Sequence, residues 1–230
     1  MVMRQIVLDT ETTGLSYAQG HRIIEIGCIE ILDRQITDNH YHQYINPERE
    51  VDAGALQIHG LDNKFLADYP VFADVIQSFH DFIQDSDLII HNAKFDLGFL
   101  NHEISLYQSV NPDADYSMIK NDKHIIDTLL LARDAHPGHK NSLDALCKRY
   151  NIDASDRKLH GALLDSSLLA KVYLAMTGGQ LSLNLDQSSI GCGMHVNNYA
   201  IPSNILLCEH VPSTVELGAH NNMLDKFNAQ

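Results

Sequence analysis

The β-branched, apolar run Arg4-Gln5-Ile6-Val7-Leu8 ends directly in Asp9-Thr10-Glu11-Thr12-Thr13-Gly14. A run of that kind reads as a buried strand. Residues two apart on a strand point to the same face, so Asp9 and Glu11 are paired side by side at the strand's end. Two carboxylates held that close in a folded site repel each other and lose solvation. The remedy is a cation. The chain must therefore bury this strand in a sheet and yet deliver its end to a polar, cation-accepting place.

Further strands are predicted at residues 22–32, at about 36–45 before Pro47, at Leu88-Ile89-Ile90 and at Ile125-Ile126. Residues 71–84 carry Phe72, Val75, Ile76, Phe79 and Ile83 on one helical stripe. Further helices are expected over 95–107, 127–135, 142–150 and 161–177. Three strands followed by strands interleaved with helices argue for an α/β fold, a mixed sheet covered by helices on its faces. Periodicity stops at Gly178-Gly179, and Asn- and Ser-rich sequence follows. Residues 1–177 thus read as one domain and 178–230 as a flexible interaction tail.

Composition narrows the setting. The hydrophobic content of 44% suits a globular core. The formal charge of −14 and pI near 5.3 argue against a broad electrostatic grip on nucleic acid, so any such contact is short, metal-assisted or shared with a partner. The four cysteines, Cys28, Cys147, Cys192 and Cys208, form no C-x-x-C pair and read as reduced structural residues. The N-terminus lacks a basic-then-apolar signal pattern and no apolar stretch reaches about 18 residues, so a soluble cytoplasmic protein is expected.

Two more carboxylates stand where a core should be. On the helix at 95–107, Asp96 shares its stripe with Leu100, Ile104 and Tyr107. The helical neighbours of Asp165 are Ala162, Leu168, Leu169 and Val172. An ionised carboxylate on such a surface costs several kcal/mol unless it is paired or metal-bound. Lys171 is off that face, while Arg157 and Lys158 precede the helix, so a buried salt bridge remains the alternative to a metal. Four inward carboxylates suit hard Mg²⁺ or Mn²⁺ ions. His160, just ahead of Asp165, is placed to take a proton from water.

The ordered set Asp9-x-Glu11-Thr12-Thr13-Gly14, His91-Asn92-Ala93-x-Phe95-Asp96 and His160-x-x-x-x-Asp165 resembles the DnaQ-like, or DEDDh, 3′→5′ exonucleases. The stretches 141–147, 159–165 and 172–180 are similar to the epsilon proofreading subunits of bacterial DNA polymerase III, a likeness covering residues 4–180. It implies a ribonuclease H-like fold with a C-terminal tail and two divalent ions, Mg²⁺ or Mn²⁺, held by Asp9, Glu11, Asp96 and Asp165. It also implies that His160 is the general base and that 5′-mononucleotides leave a single-stranded 3′ end of DNA. Glu11, Thr12, Thr13, Leu15, His59 (in Ile58-His59-Gly60) and His160 would contact the terminal nucleotide. Asp127 also matches and reads equally as a helix N-cap.

The tail opens on Gln180-Leu181-Ser182-Leu183-Asn184-Leu185, which resembles the bacterial motif that binds the sliding clamp (beta) through a glutamine and spaced leucines, here Gln180, Leu181, Leu183 and Leu185. Ser213-Thr214-Val215-Glu216 has capping-box spacing ahead of Leu217, Leu224 and Phe227. By resemblance that segment docks on the polymerase catalytic (alpha) subunit; a small accessory subunit (theta) is allowed but not implied. The catalytic motifs are equally those of free-standing DEDDh nucleases acting on RNA or oligonucleotide 3′ ends, and only the tail separates the two readings.

Overall fold

The structure, a computed structural model, describes residues 3–114, 116–119, 124–157 and 159–178. The tail elements named above, Gln180, Leu181, Leu183 and Leu185 among them, lie outside the described residues. The apolar run at the N-terminus forms β1 (Arg4–Thr12), the middle strand of five. On one side β1 pairs antiparallel with β2 (Ile23–Leu32), which pairs antiparallel with β3 (Gln35–Tyr44). On the other side it pairs parallel with β4 (Asp87–Ile90), itself parallel to β5 (Ile125–Asp127), giving the order β3-β2-β1-β4-β5. This mixed sheet is flanked by helices, as the interleaving predicted.

The expected helices are α3 (Phe72–Ile83), α4 (Ala93–Val110), α5 (Thr128–Ala135), α6 (Leu143–Arg149) and α7 (Ala162–Thr177). Two helices were not legible, α1 (Ala53–His59) and α2 (Asn63–Leu66). They bury only His59 and Leu66 respectively, so neither carries an apolar stripe to be read. α1 stops at Gly60, whose φ of 75° is the left-handed geometry of a helix C-terminus.

Alternation along β1 divides the interior. Ile6 and Leu8 face a cluster with Phe72, Val75, Ile76 and Phe79 of α3 and Leu97, Leu100 and Ile104 of α4. Val7 faces the opposite cluster with Leu143 and Leu146 of α6 and Leu168, Leu169 and Val172 of α7. Asp9 and Glu11 continue the Val7 side, so the sheet's period of two carries them toward α7. β1 continues three residues beyond Asp9, because β2 keeps pairing with it as far as Thr12. The carboxylates therefore project from a hydrogen-bonded strand and not from a turn.

One glycine decides how close α7 comes. Gly27 pairs opposite Asp9, and a Cβ there would overlap the backbone of Ala162 and Leu163. The Ser166 hydroxyl donates to the Gly27 carbonyl at 2.8 Å. The first turn of α7, with Asp165, is thereby held against the strand that carries Asp9 and Glu11. None of the described helices is long and apolar enough to cross a membrane.

Candidate active site

Three elements deliver four carboxylates to one cavity of about 800 Å³. β1 supplies Asp9 and Glu11, α4 supplies Asp96 and α7 supplies Asp165; His160, in the loop before α7, completes the lining. All five residues singled out in the sequence for the chemistry are brought together. Asp96 and Asp165 are each only 3% exposed, which puts both on the inward faces expected from their neighbours.

Asp96 is fixed by β1 itself. Its Oδ1 accepts from the Thr10 N–H at 3.1 Å and from the Thr10 hydroxyl at 2.7 Å. Thr10 lies between the two β1 carboxylates, ties α4 to the strand and itself lines the cavity. The start of α4 is secured by Asp127. Its carboxylate accepts from the N–H groups of Asn92 at 3.2 Å and Ala93 at 3.1 Å, and from Leu129 of α5 at 2.9 Å. Asp127 is thus the N-cap of α5 and also a brace for the helix bearing Asp96, so the two roles the sequence left open coexist.

Burial of converging charge is reflected in the acid strengths. Burial, then Asp96, then Glu11 and Asp165, push Asp9 well above the usual carboxylate range. Burial, followed by Asp165, Glu25 and Asp96, moves Glu11 from 4.5 to about 8. Asp96 rises to about 7, chiefly through burial, against the lowering effect of its Thr10 hydrogen bonds. At about 1.4 kcal/mol per pH unit, the Glu11 displacement corresponds to roughly 5 kcal/mol against its ionised form. A divalent cation removes that penalty. Glu11, His160 and Asp165 also offer ligand atoms that all lie within 4.8 Å of one another. Oxygen donors with no cysteine among them fit hard ions such as Mg²⁺ or Mn²⁺.

A residue the sequence had noted only as preceding the helix enters the same space. Arg157 Nε donates to Asp165 Oδ1 at 2.5 Å and its Nη2 to Asp165 Oδ2 at 2.6 Å. Nη1 reaches Asp144 Oδ1 at 2.5 Å, and Nη2 also approaches His160 Nδ1 at 3.1 Å. The buried salt bridge left open for Asp165 therefore exists. Spacing could have flagged Arg157, three residues before His160 and eight before Asp165, but only folding of the intervening loop turns it inward.

Beside the carboxylates lies a more apolar recess of about 430 Å³, lined in part by Thr12, Leu15, Ile58, His59 and Phe95, with Glu11 and His160 shared between the two spaces. The expected nucleotide contacts Thr12, Leu15 and His59 all face it, and Leu15 is 85% exposed at its rim. Thr13 does not line either space. It is fully buried, its hydroxyl lying 3.0 Å from His21 Nδ1 and accepting from Arg22 N–H at 3.0 Å. Its side chain fastens the turn after β1. α1 reaches the recess because the His160 N–H donates to the Ile58 carbonyl at 3.0 Å. The Leu61 N–H donates to His59 Nδ1 at 3.0 Å, so the neutral ring carries its proton on Nε2. That atom is buried and makes no hydrogen bond of good geometry among the described residues; burial holds the His59 pKa below its usual value, against the raising effects of Glu25 and of a Thr12 backbone contact.

The family model described as Exonuclease matches residues 6–173. The chain belongs to this exonuclease family. It is 45% identical over 238 aligned residues to DNA polymerase III subunit epsilon of Rickettsia prowazekii (strain Madrid E), covering 99% of this chain and 98% of that protein. Identity to DNA polymerase III subunit epsilon of Escherichia coli (strain K12) is 50% over 186 residues, or 79% of this chain and 74% of that one. Among solved structures, exonuclease X in complex with 5′ overhanging duplex DNA superposes with a TM-score of 0.58 at 26% identity, covering 76% of this chain and 92% of that one. The nuclease domain of 3′hExo, a DEDDh family member bound to rAMP, gives a TM-score of 0.60 at 16% identity over 76% and 92% of the two chains, a likeness of fold. The ribonuclease H-like sheet expected from the motifs is the fold these exonucleases share.

Proposed function

We propose that this exonuclease is the proofreading subunit of a replicative DNA polymerase, removing nucleotides from single-stranded 3′ ends of DNA. The observation that carries the chemistry is the convergence of Asp9, Glu11, Asp96 and Asp165 with His160 in the lining of one cavity. Asp9, Glu11, Asp96 and Asp165 would hold two divalent cations, Mg²⁺ or Mn²⁺, which supply a more acidic water and neutralise the leaving 3′-oxygen. His160 has an exposed side chain at the mouth of the cavity, where a neutral imidazole can accept a proton from the attacking water. The recess under Leu15 receives the terminal nucleotide, with Thr12 and Ile58 against it and His59 Nε2–H as a donor. A second, free-standing role on RNA ends would use the same groups.

The acidic surface accords with a subunit that works within a complex. A frayed mismatch lowers the cost of bringing a terminal nucleotide into a pocket, and the polymerase carries the duplex. Near-full-length likeness to a polymerase III epsilon subunit supports that assignment. The tail from Gln180 onward is the proposed tether to the clamp through Gln180, Leu181, Leu183 and Leu185 and, beyond them, to the polymerase catalytic subunit in the cytoplasm.

The test is excision from a primer–template with a mismatched 3′ terminus, using the full chain with and without the catalytic subunit. Mg²⁺-dependent release of 5′-mononucleotides is expected, with loss of release in Asp9→Ala. Full activity in a pure preparation of that variant would sink the site assignment. Unchanged association with clamp and polymerase after removal of residues 180–230 would sink the replicative role.

A further inference from the structure

The guanidinium of Arg157 lines the same cavity as the four carboxylates, and its side chain is only 8% exposed. The contact is a two-pronged fork on both Asp165 oxygens at 2.5 and 2.6 Å. Fork-like pairing of this kind is strong and geometrically specific, and lysine cannot reproduce it. A guanidinium donates only, so its approach to His160 Nδ1 at 3.1 Å uses the imidazole's acceptor nitrogen. A neutral imidazole has one such nitrogen. Arg157 therefore engages at once a carboxylate proposed to bind metal and the nitrogen a general base needs.

Resting on the two-metal reading above, we propose that Arg157 is a resident counter-ion whose guanidinium must leave Asp165 and His160 before the cation at that corner can bind, so that metal loading there is an exchange that also frees the base. Asp144, whose side chain is 62% exposed, holds the third arm of the guanidinium at the rim and gives it a place to rest once displaced. Asp165 is never left buried and unpaired, a state that costs several kcal/mol. Arg157 is on this account a positioning residue that acts through Asp165 and His160.

The test has two arms, neither of which reads turnover. Mn²⁺ binding to the full chain, followed by electron paramagnetic resonance, compares the wild type with Arg157→Lys. Charge is conserved in that variant but the fork is lost, so the weaker class of Mn²⁺ sites should tighten by about five- to thirtyfold. A role as a distant positive charge predicts no change, and no change overturns the exchange. The second arm needs only the wild type. The ¹⁵N–H resonance of Arg157 Nε should move on saturation with Mg²⁺ as the fork to Asp165 opens, and a resonance that stays in place overturns the exchange even if the lysine variant does not fold. Wild type that binds two Mn²⁺ with Arg157 unmoved removes the exchange alone; wild type that binds none removes the two-metal reading with it.

Discussion

Replacing Glu11 with glutamine separates stability from function at one buried group. In the metal-free protein, burial and the neighbouring Asp165, Glu25 and Asp96 move the Glu11 pKa from 4.5 to about 8. A folded-state value above the unfolded one means that the native state binds more protons between the two. The contribution of Glu11 to stability is then greatest below about pH 4.5 and falls as pH rises through about 8. At pH 8 the loss attributable to Glu11 comes to about 4 kcal/mol, and at pH 5 to less than about 1 kcal/mol. Glutamine cannot ionise, so Glu11→Gln in EDTA should be the more stable protein at pH 8, by roughly 2–4 kcal/mol once the other carboxylates relax their own protonation. For a domain of this size that corresponds to a Tm about 4–16 °C higher. The advantage should shrink to a few degrees at pH 5. Saturating Mn²⁺ should reverse the order, because the metal stabilises the protein that binds it. The same variant should lose more nuclease activity than the roughly 10- to 100-fold typical of residues that only support a metal ligand. Thermal melts at pH 5 and pH 8, with and without Mn²⁺, decide the matter. A Glu11→Gln protein no more stable than wild type at pH 8 in EDTA would refute the electrostatic reasoning, and full activity would refute the site.

Gly27→Ala would drive a methyl into the backbone of Ala162 and Leu163. An overpacking cost of about 1–3 kcal/mol is expected, with kcat falling further than stability because Asp165 rides on the displaced turn; melts beside single-turnover rates would show the two effects apart. Asp127→Ala removes the acceptor for Asn92, Ala93 and Leu129 N–H groups. Two helix starts lose a cap worth about 1 kcal/mol each, so denaturant titration should record a loss near 2 kcal/mol, partly restored in Asp127→Asn. His59→Ala should raise KM for a 3′-terminal nucleotide by about 5- to 30-fold with a smaller change in kcat, as expected for loss of a buried hydrogen-bond donor to the substrate; a fall in kcat at constant KM would place His59 in the chemistry instead.

Local regularities of the chain were enough for the order of strands and long helices, since periods of two and 3.6 residues are written directly in apolar spacing. Asp9 and Glu11 could be paired because two residues on one strand have a fixed relation. Asp96 and Asp165 could be suspected because a charge among leucines is anomalous wherever the helix packs. Distance between those elements is not a local property. That α4 and α7 bring their carboxylates to the end of β1 is decided by packing on opposite faces of one sheet, by the missing side chain at Gly27 and by the brace of Asp127. The helix carrying His59 was invisible because it buries too little to leave a stripe. The side chain of Thr13 fastens the turn after β1, a role that its place in the motif does not reveal. Arg157 marks the boundary most clearly. Its sequence neighbourhood is that of a solvated loop, yet tertiary structure desolvates it against Asp165, because an acid buried at the foot of α7 requires a positive partner and that loop passes within reach.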